Sequence, residues 1–306
     1  MPETSVLILS DSEKDQRVDI FLSQKYPQLS RSYIQKLARE HRVKVNGQSV
    51  KTSYRLKTGD TVEIDRDTLI PRQDPILPAN IPLKSLFEDE HILVIEKPSG
   101  LVVHPGAGTA RHTLVNALLF RCPSVRGVGE KKRPGIVHRL DKETSGVMVV
   151  AKTQLAHEEL QRQFKAREVE KLYIGLVWGR MPEKKGHITW AIGRHEKQRQ
   201  RISIKTKNPK AAETFYTVRQ EWDEVSLLEI RPLTGRTHQI RVHFAASGHP
   251  VVGDTKYGRK KTKLQTSRLF LHAFQLAFKH PGSKERVEFS SPLPKELSEF
   301  LEKLSY

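Results

Sequence analysis

The chain has 306 residues, and its 53 Lys and Arg against 35 Asp and Glu give a formal net charge of +18. This excess suits a polyanionic partner but carries no information about the fold. No apolar run approaches the roughly 20 residues of a membrane-spanning helix, so the expected partner is nucleic acid and not a membrane. The single cysteine, Cys122, excludes an intramolecular disulfide and any cysteine-rich zinc site, and no secretion signal is visible, which predicts a cytoplasmic protein.

Two short helices and several short strands are predicted for the N-terminal part of the chain. Apolar residues recur at helical spacing over residues 18–26, and Ser30 is a candidate N-cap for a second helix. Alternation over residues 43–45, the Asn46-Gly47 turn signal and a short run over 61–64 predict strands.

The polar side of the second helix and the segment after it are strongly basic. Residues 31–57 contain eight cations and one acid, Glu40. Such a run of charges usually forms only a solvated face. Here, however, one side is apolar and the opposite side is almost entirely basic, which favours a surface that binds along RNA phosphates. With its "VKVNG" and "LKTGD" segments, this arrangement resembles the S4 RNA-binding domain over residues 15–65. The residues expected to contact RNA are Arg31, Lys36, Arg39, Arg42 and Lys44.

Residues 66–82 show no periodicity and are rich in proline, which predicts an extended, semi-rigid linker. The prolines are Pro71, Pro75, Pro78 and Pro82. We place the domain boundary in this linker and assign residues 83–306 to a second domain.

The second domain is predicted to contain both strands and helices. Its uninterrupted apolar run over residues 147–151 is typical of a strand that is buried on both faces. The other predicted elements are strands over 86–97, 170–178, 269–279 and 287–290, and helices over 113–120, 154–167 and 295–303.

A polar loop over residues 138–146 leads into the 147–151 strand and is held against it, as precise placement of a catalytic group requires. Within the loop, Asp141 follows Arg139 by two residues. A carboxylate among cations stays ionised, and an ionised Asp acts as a nucleophile or as a proton acceptor. The alternative is that Asp141 and Thr144 only cap or turn the chain, as Asp and Thr often do in loops.

The string His-Arg-Leu-Asp-Lys-Glu-Thr-Ser-Gly at 138–146 resembles the signature of the RluA/RluD-type pseudouridine synthases, where the aspartate is catalytic. The resemblance implies that Asp141 is catalytic and that Arg139 helps to fill the space that the target base vacates. It also implies that Tyr173, in Lys-Leu-Tyr, lies against that base, where its ring stacks and its hydroxyl serves in proton transfer. The segment "TGRTHQIRVH", followed by "HPVVGDxxYG", is similar to the family's C-terminal motif, whose second arginine, here Arg241, pairs with the catalytic aspartate.

Neither a metal site nor a nucleotide-cofactor site is predicted. Gly106 and Gly108 in "LVVHPGAG" fit neither a Walker loop nor a dinucleotide fingerprint, whereas they suit a turn that lines a cleft. His238 and His243 are five residues apart, not the four of a helical ligand pair, and no Cys is close in the sequence. We therefore expect no metal and no cofactor.

Two further basic segments extend the expected RNA-binding surface into the second domain. Residues 194–210 hold seven cations and one acid, and residues 256–268 hold six cations and no acid. A solvated loop is the alternative in each case, and an RNA-binding rim is favoured because both segments lie in the domain that contains Asp141.

The fold implied by the resemblance is α+β, with a large mixed, mainly antiparallel sheet and a cleft across its middle. The implied reaction is isomerisation of specific uridines to pseudouridine in large-subunit ribosomal RNA, free or within assembling subunits, by a monomer. "VVHPGAG" and "TLVNALL", with the S4-like module, favour the RluD branch over the RluC-like branch, which has other rRNA targets. A glycosidase or hydrolase would need a second carboxylate that no motif supplies, and a non-catalytic rRNA-binding assembly factor would leave Asp141 dispensable.

Overall fold

The computed structural model describes residues 4–69, 76–106, 111–196, 198, 201–258, 264 and 266–304. The predictions above also concern residues outside this part of the chain, namely Pro71, Pro75, Gly108, Lys197, Arg199, Arg259, Lys260, Lys261 and Lys263. The chain divides into two compact units, Met1–Pro75 and Ile76–Tyr306, and the division falls inside the predicted linker.

The first unit combines a small antiparallel sheet with two helices. Its elements in chain order are β1 (Thr4–Ile8), α1 (Val18–Lys25), α2 (Arg31–Arg39), β2 (Val43–Val45), β3 (Gln48–Ser49) and β4 (Thr61–Asp65). The strands pair in the order β1–β4–β2–β3, and all pairs are antiparallel. Phe21 of α1, Leu37 of α2 and Val62 of β4 belong to one buried core, so the apolar helix faces pack on the sheet.

Both predicted helices of this unit are confirmed, and the Ser30 hydroxyl caps α2 by accepting a hydrogen bond from the Tyr33 amide at 3.2 Å. Strand β1, by contrast, is not predicted from the sequence. It is an edge strand without fully buried side chains, and its apolar residues Val6 and Ile8 are exposed. Such a strand leaves no core pattern in the sequence.

Of the 66–82 segment, the structure describes residues 66–69, which belong to the first unit, and residues 76–82, which belong to the second. Arg66–Thr68 forms a 3-10 turn directly after β4, and Thr68 is buried. In the second unit, the Ala79 amide donates to the Asn116 carbonyl at 2.9 Å, and the Asn116 side-chain amide donates to the Leu77 carbonyl at 2.6 Å. These hydrogen bonds are a feature that the proline content does not predict.

The second unit is built around a large sheet. Its elements in chain order are β5 (Lys84–Glu88), β6 (Ile92–Lys97), α3 (Leu114–Arg121), β7 (Ser145–Ala151), α4 (Gln154–Ala166), β8 (Glu170–Trp178), β9 (Lys185–Ile188), β10 (Gly193–Arg194), β11 (Ile202–Ser203), β12 (Thr214–Glu221), β13 (Val225–Pro232), α5 (Gln239–Ala246), β14 (Leu271–Lys279), β15 (Arg286–Ser290) and α6 (Lys295–Leu304). Among the described residues, nine strands form one sheet in the order β5–β6–β7–β14–β8–β13–β12–β9, with β15 paired to β14. The β7–β14 pair is parallel and the other pairs are antiparallel, which confirms the α+β class with a mixed, mainly antiparallel sheet.

Strand β7 lies inside this sheet and is buried on both faces, as its apolar run predicts. Val147 and Val149 share a core cluster with α4, whereas Met148 and Val150 share a different cluster with α3. Full burial of each such side chain contributes about 1.5–3 kcal/mol. The polar loop before β7 is therefore attached to a firmly packed strand.

Strands β12 and β13 are not predicted from the sequence, although they connect β8 to the edge strand β9. Several side chains of β12 are exposed or half-buried, including the aromatic ring of Phe215. A strand of this kind shows no continuous apolar run, and its charged residues obscure the alternation.

Candidate active site

The polar loop over residues 138–144 runs directly into β7 and is tied to the segment after β6. The Gly100 amide donates to the Lys142 carbonyl at 2.8 Å, and the Ser99 hydroxyl donates to the Glu143 carbonyl at 2.7 Å. These two bonds fix the backbone on the C-terminal side of Asp141.

Lys97, the last residue of β6, supports the same loop from the interior. Its side chain is fully buried, and its Nζ donates to the carbonyls of Pro98, Leu101 and Lys142 at 2.7, 2.9 and 3.1 Å. Burial lowers the pKa of Lys97 to about 7. Three carbonyl acceptors match the three N–H donors of an ammonium group, so the side chain joins two backbone segments beneath the loop.

Gly146 allows the loop to end where two strands of the sheet meet. Its φ is +121°, and a Cβ at this position would lie 2.2 Å from the carbonyl oxygen of Ala273 in β14. A side chain is therefore excluded at this point by the backbone of β14.

The structure brings Asp141 and Arg241 together although they are 100 residues apart in sequence. The Arg241 Nη1, on α5, donates to the Asp141 Oδ2 at 3.2 Å, and the side chains are 6% and 15% exposed, respectively. An uncompensated buried guanidinium would be strongly destabilising, so Arg241 needs carboxylate partners at this site.

Asp254 provides a second carboxylate partner for Arg241. It accepts hydrogen bonds from Arg241 Nε at 2.7 Å and from Nη2 at 2.9 Å, and its side chain is fully buried. The amides of Lys256 and Tyr257 also donate to Asp254 Oδ1, at 2.9 and 3.0 Å. Although burial opposes it, these hydrogen bonds and the Arg241 charge lower the pKa of Asp254. The bidentate contact fixes the guanidinium plane and leaves Nη1 to Asp141.

Asp254 is not among the residues predicted for the site, although it lies in the quoted segment "HPVVGDxxYG". A buried arginine needs more than one acceptor, and that requirement is the signal that could have pointed to Asp254. Tyr257 of the same segment places its ring centroid 5.3 Å from the Arg241 guanidinium carbon. Its hydroxyl accepts from the Ile202 amide at 2.9 Å and shares a hydrogen bond of 2.7 Å with His238 Nδ1, and burial lowers the pKa of His238.

Tyr173 of β8 lines the same cavity as Asp141 and Arg241. Burial, together with the negative charge of Asp141, raises the pKa of the Tyr173 phenol. The phenol therefore keeps its proton at neutral pH. Its ring is available for stacking and its hydroxyl for donating a hydrogen bond, whereas a phenolate base is disfavoured.

Arg139 is exposed, and it lines the same cavity. Its Nη1 lies 3.1 Å from His104 Nε2. A guanidinium can only donate hydrogen bonds, so His104 Nε2 is the acceptor. Burial and the neighbouring charges of Arg139 and Arg133 lower the pKa of His104, which keeps this acceptor neutral. His104 belongs to the "LVVHPGAG" segment, so this segment does contribute to the cleft.

His138 connects the start of the loop to β7. Its Nε2 accepts a hydrogen bond from the Val149 amide at 3.1 Å, and its ring stacks on Phe164 with centroids 4.7 Å apart. Burial, with a smaller contribution from Lys171, lowers the pKa of His138 to about 3. The imidazole is therefore neutral at physiological pH, with its proton on Nδ1.

All four residues predicted for the catalytic site line one cavity of about 560 Å³, a volume typical of ligand-binding pockets. The other cations that line it are Arg133, Lys165, Arg167, Lys171 and Arg236, and the other acid is Glu130. The cavity thus presents the Asp141 carboxylate within a lining of net positive charge, which suits a substrate that carries phosphate.

The five cations predicted to contact RNA lie in the first unit, and three of them form ion pairs. The pairs are Arg31–Asp19 at 3.0 Å, Lys36–Glu40 at 3.7 Å and Arg42–Asp65 at 3.1 Å. The Arg39 Nε donates to the Gln35 carbonyl at 3.1 Å, and Lys44 is exposed on β2. The count over residues 31–57 overstates the positive charge of this face, because the pairing acids Asp19 and Asp65 lie outside that range.

No group of three potential ligands that could hold a metal ion occurs within the described ranges between residues 4 and 304. In the same part of the chain, no helix combines the length and apolar character needed to cross a lipid bilayer.

Two family models match the chain in agreement with this geometry. The model for RNA pseudouridylate synthase matches residues 91–246, a segment that contains Asp141, Tyr173, Arg139 and Arg241. The model for the S4 domain matches residues 16–62. This chain belongs to the RNA pseudouridylate synthase family. It is accordingly an RNA pseudouridine synthase that carries an S4 domain.

Two relatives match nearly the whole length of the synthase. It is 43% identical over 305 residues to an RNA pseudouridine synthase of Aquifex aeolicus, with 96% of this chain and 95% of the relative covered. It is 40% identical over 306 residues to the ribosomal large subunit pseudouridine synthase D of Nitrosomonas europaea, with 98% and 87% covered. The solved structure of human RNA pseudouridylate synthase domain containing 1 matches with a TM-score of 0.57 and 31% identity, covering 74% of the synthase and 96% of the human chain.

Proposed function

We propose that the synthase isomerises specific uridines to pseudouridine in large-subunit ribosomal RNA, with Asp141 as its catalytic residue. The observation that carries this proposal is the buried contact between Asp141 and Arg241 in a cavity that Tyr173 and Arg139 also line. The relative named ribosomal large subunit pseudouridine synthase D, 40% identical over 98% of this chain, supports the ribosomal RNA substrate and the RluD branch. We expect the enzyme to act in the cytoplasm as a monomer.

The reaction rearranges one nucleoside without gain or loss of atoms. The bond between N1 of uracil and C1′ of the ribose breaks, the uracil turns within the cavity, and C5 then bonds to C1′. The proton on C5 passes to the solvent and N1 gains a proton from the solvent, so the product is an isomer of the substrate. This balance needs neither an oxidant nor a reductant.

Asp141 supplies the carboxylate that promotes cleavage of the N1–C1′ bond, by attack on the base or the sugar or by proton abstraction. Arg241 Nη1 binds Oδ2, and no donor among the described residues binds Oδ1, which leaves Oδ1 for the nucleoside. Because Asp254 fixes the Arg241 guanidinium, the orientation of Asp141 is set before the substrate arrives.

Tyr173 and Arg139 have roles in holding the nucleotide. The uridine must leave its stack at a cost of a few kcal/mol, and stacking on Tyr173 returns about 1–3 kcal/mol. The protonated Tyr173 hydroxyl donates a hydrogen bond to the trapped uracil or its ribose. Arg139 leaves His104 and fills the space from which the base has departed.

Replacing Asp141 with Asn tests the proposal, because the amide keeps the size of the side chain and removes its charge. We expect tritium release from large-subunit rRNA labelled at C5 of uridine to fall by about 10³-fold or more. Binding of the same RNA, measured by filter retention, should be unchanged.

Glu143→Gln is the matched control, since it makes the same chemical change two residues away and leaves the Glu143 carbonyl bond to Ser99 intact. This variant should release tritium at the wild-type rate. Undiminished release by Asp141→Asn would remove Asp141 from the mechanism.

A further inference from the structure

A second cavity of about 880 Å³ lies next to the catalytic cavity. It is lined by residues 192–196, Ile202, 206–208, Lys210 and 235–237, and we call it the basic groove. Residues 235–237 also line the catalytic cavity. The two cavities therefore share a wall, and an extended ligand that fills one can continue into the other.

The walls of the basic groove are held by hydrogen bonds and by one close backbone approach. Ile192 and Lys210 exchange two backbone hydrogen bonds of 3.0 and 2.9 Å, and the Thr206 hydroxyl donates to the Arg194 carbonyl at 2.8 Å. A Cβ at Gly193 would lie 2.6 Å from the Asn208 carbonyl oxygen. The groove is consequently a formed part of the fold and not a gap between loose side chains.

The charge of the groove is strongly unbalanced. Its lining contains four exposed cations, Arg194, Lys207, Lys210 and Arg236, and one acid, Glu196. None of the four cations has an ion-pair partner within the described part of the chain. This differs from Arg162 on α4, which pairs with two glutamates.

Arg236 stands at the junction of the two cavities. Its Nε donates to the Ala211 carbonyl at 3.2 Å, and its amide donates to Gln239 Oε1 at 3.0 Å. The position of the residue is therefore fixed on both its backbone and its side chain. Gly235 beside it leaves open space, since a Cβ there would meet no atom within 4 Å.

We propose that the basic groove binds the phosphodiester backbone of the RNA strand on one side of the target uridine. This inference rests on the proposed function, because it requires a nucleotide in the catalytic cavity. The exposed cations beside that cavity match the negative charge of an RNA strand that continues from it. Phosphate contacts position an RNA without reading its sequence. The groove therefore strengthens RNA binding and aligns the strand, and it takes no part in the chemical step.

The double variant Lys207→Gln/Lys210→Gln tests this inference in the full-length enzyme. Each phosphate contact on a single strand contributes about 0.7 to the slope of log affinity against log salt, so the slope should become shallower by about 1.4. KM for rRNA should rise several-fold, whereas kcat at saturating RNA should stay at the wild-type value. Lys207→Arg/Lys210→Arg should retain the wild-type slope, which separates charge from folding.

The matched control is Lys279→Gln/Lys303→Gln, which removes the same charge from exposed lysines that line neither cavity. Its salt slope should equal that of the wild type. Two RNA substrates, truncated at the target uridine on the 5′ or the 3′ side, provide the second arm. The difference between wild type and groove variant should vanish with one truncated RNA and persist with the other.

Equal salt slopes for the groove variant and the control would overturn the inference. So would a loss of affinity for ribosomal particles without any loss for naked rRNA, because the groove would then bind a protein. A wild-type enzyme that binds rRNA but releases no tritium would refute the proposed function instead, and the binding slopes would still decide whether the groove holds RNA.

Discussion

Charged side chains are used differently in the two units of this synthase. In the second unit, Arg241 is 6% exposed and is held by Asp141 and Asp254, whose side chains are 15% and 0% exposed. In the first unit, the ion-paired Lys36 and Glu40 remain 62% and 47% exposed. Buried pairs fix geometry and are costly to break, whereas exposed pairs contribute little to stability. The catalytic cavity thus uses charge to place one carboxylate, and the first unit presents charge at its surface.

The largest effect is expected from breaking the buried pair. Asp254→Asn replaces the bidentate carboxylate partner of the buried Arg241 with a neutral amide and, among the described residues, leaves only the single contact to Asp141 as a charged contact. We expect a loss of about 3–5 kcal/mol in the free energy of unfolding. Tritium release should fall as well, because the Arg241 contact to Asp141 loses its support. Urea denaturation followed by tryptophan fluorescence measures this unit, since Trp178, Trp190 and Trp222 all lie in it.

Asp223→Asn is the matched control for that experiment. Asp223 pairs with Arg180 at 2.8 Å, but its side chain is 96% exposed. Loss of such a pair should change the free energy of unfolding by less than about 1 kcal/mol. Equal destabilisation by the two substitutions would contradict the distinction between buried and exposed charge.

A change of intermediate size in the free energy of unfolding is expected when the pH falls, because His138 is buried. Burial depresses its pKa to about 3 in the folded state, against an ordinary value of 6.5. Between these values the unfolded chain binds more protons, so this contribution to stability is present above pH 6.5 and is lost as the pH falls. From pH 7 to pH 5 we expect about 1–2 kcal/mol of destabilisation from this group.

His138→Gln isolates that contribution, because the side-chain amide still offers an acceptor to the Val149 amide and does not titrate. The variant should lose less unfolding free energy than the wild type between pH 7 and pH 5, measured by urea denaturation at both pH values. The same pH dependence in both proteins would show that His138 is not buried as a neutral group.

The smallest effects are expected in the first unit, where we compare the exposed Lys44 with the ion-paired Arg31. Lys44→Gln should make the salt slope of RNA binding shallower by about 0.7–0.9 without a change in stability. Arg31→Gln should cost about 1 kcal/mol in the free energy of unfolding, because Asp19 is fully buried and, among the described residues, would keep only Arg17 and Gln35 as side-chain partners. Hydrogen exchange of the α2 amides measures the second effect. A larger loss of stability from Lys44→Gln than from Arg31→Gln would contradict these assignments.

Strand β7 and helices α1 and α2 could be predicted because the residues that they bury form regular patterns over a few consecutive positions of the sequence. Residues 147–151 are apolar throughout, since both faces of β7 are covered. Ser30 and the residues after it carry a cap and an apolar stripe. Strands β1 and β12 escape prediction because they are partly exposed, so the packing that forms them leaves no regular pattern.

The site shows the same limit. The resemblance to the synthase motifs predicts Asp141, Tyr173, Arg139 and Arg241 as site residues, and the structure places all four around one cavity. The contacts that support them depend on tertiary structure, since Asp254 meets Arg241 only after the segment beyond α5 folds back. The same holds for Arg31, whose partner Asp19 lies on another helix. Such pairings follow from the arrangement of elements and not from spacing in the sequence.

Mapping pseudouridines in the ribosomal RNA of cells that lack this gene determines whether the synthase modifies large-subunit rRNA. Pseudouridines at a small set of large-subunit positions should disappear in these cells, return with the wild-type gene, and stay absent with Asp141→Asn. The positions themselves distinguish the RluD branch from the RluC-like branch. An unchanged large-subunit map in the deletion strain would show that the synthase does not modify large-subunit rRNA.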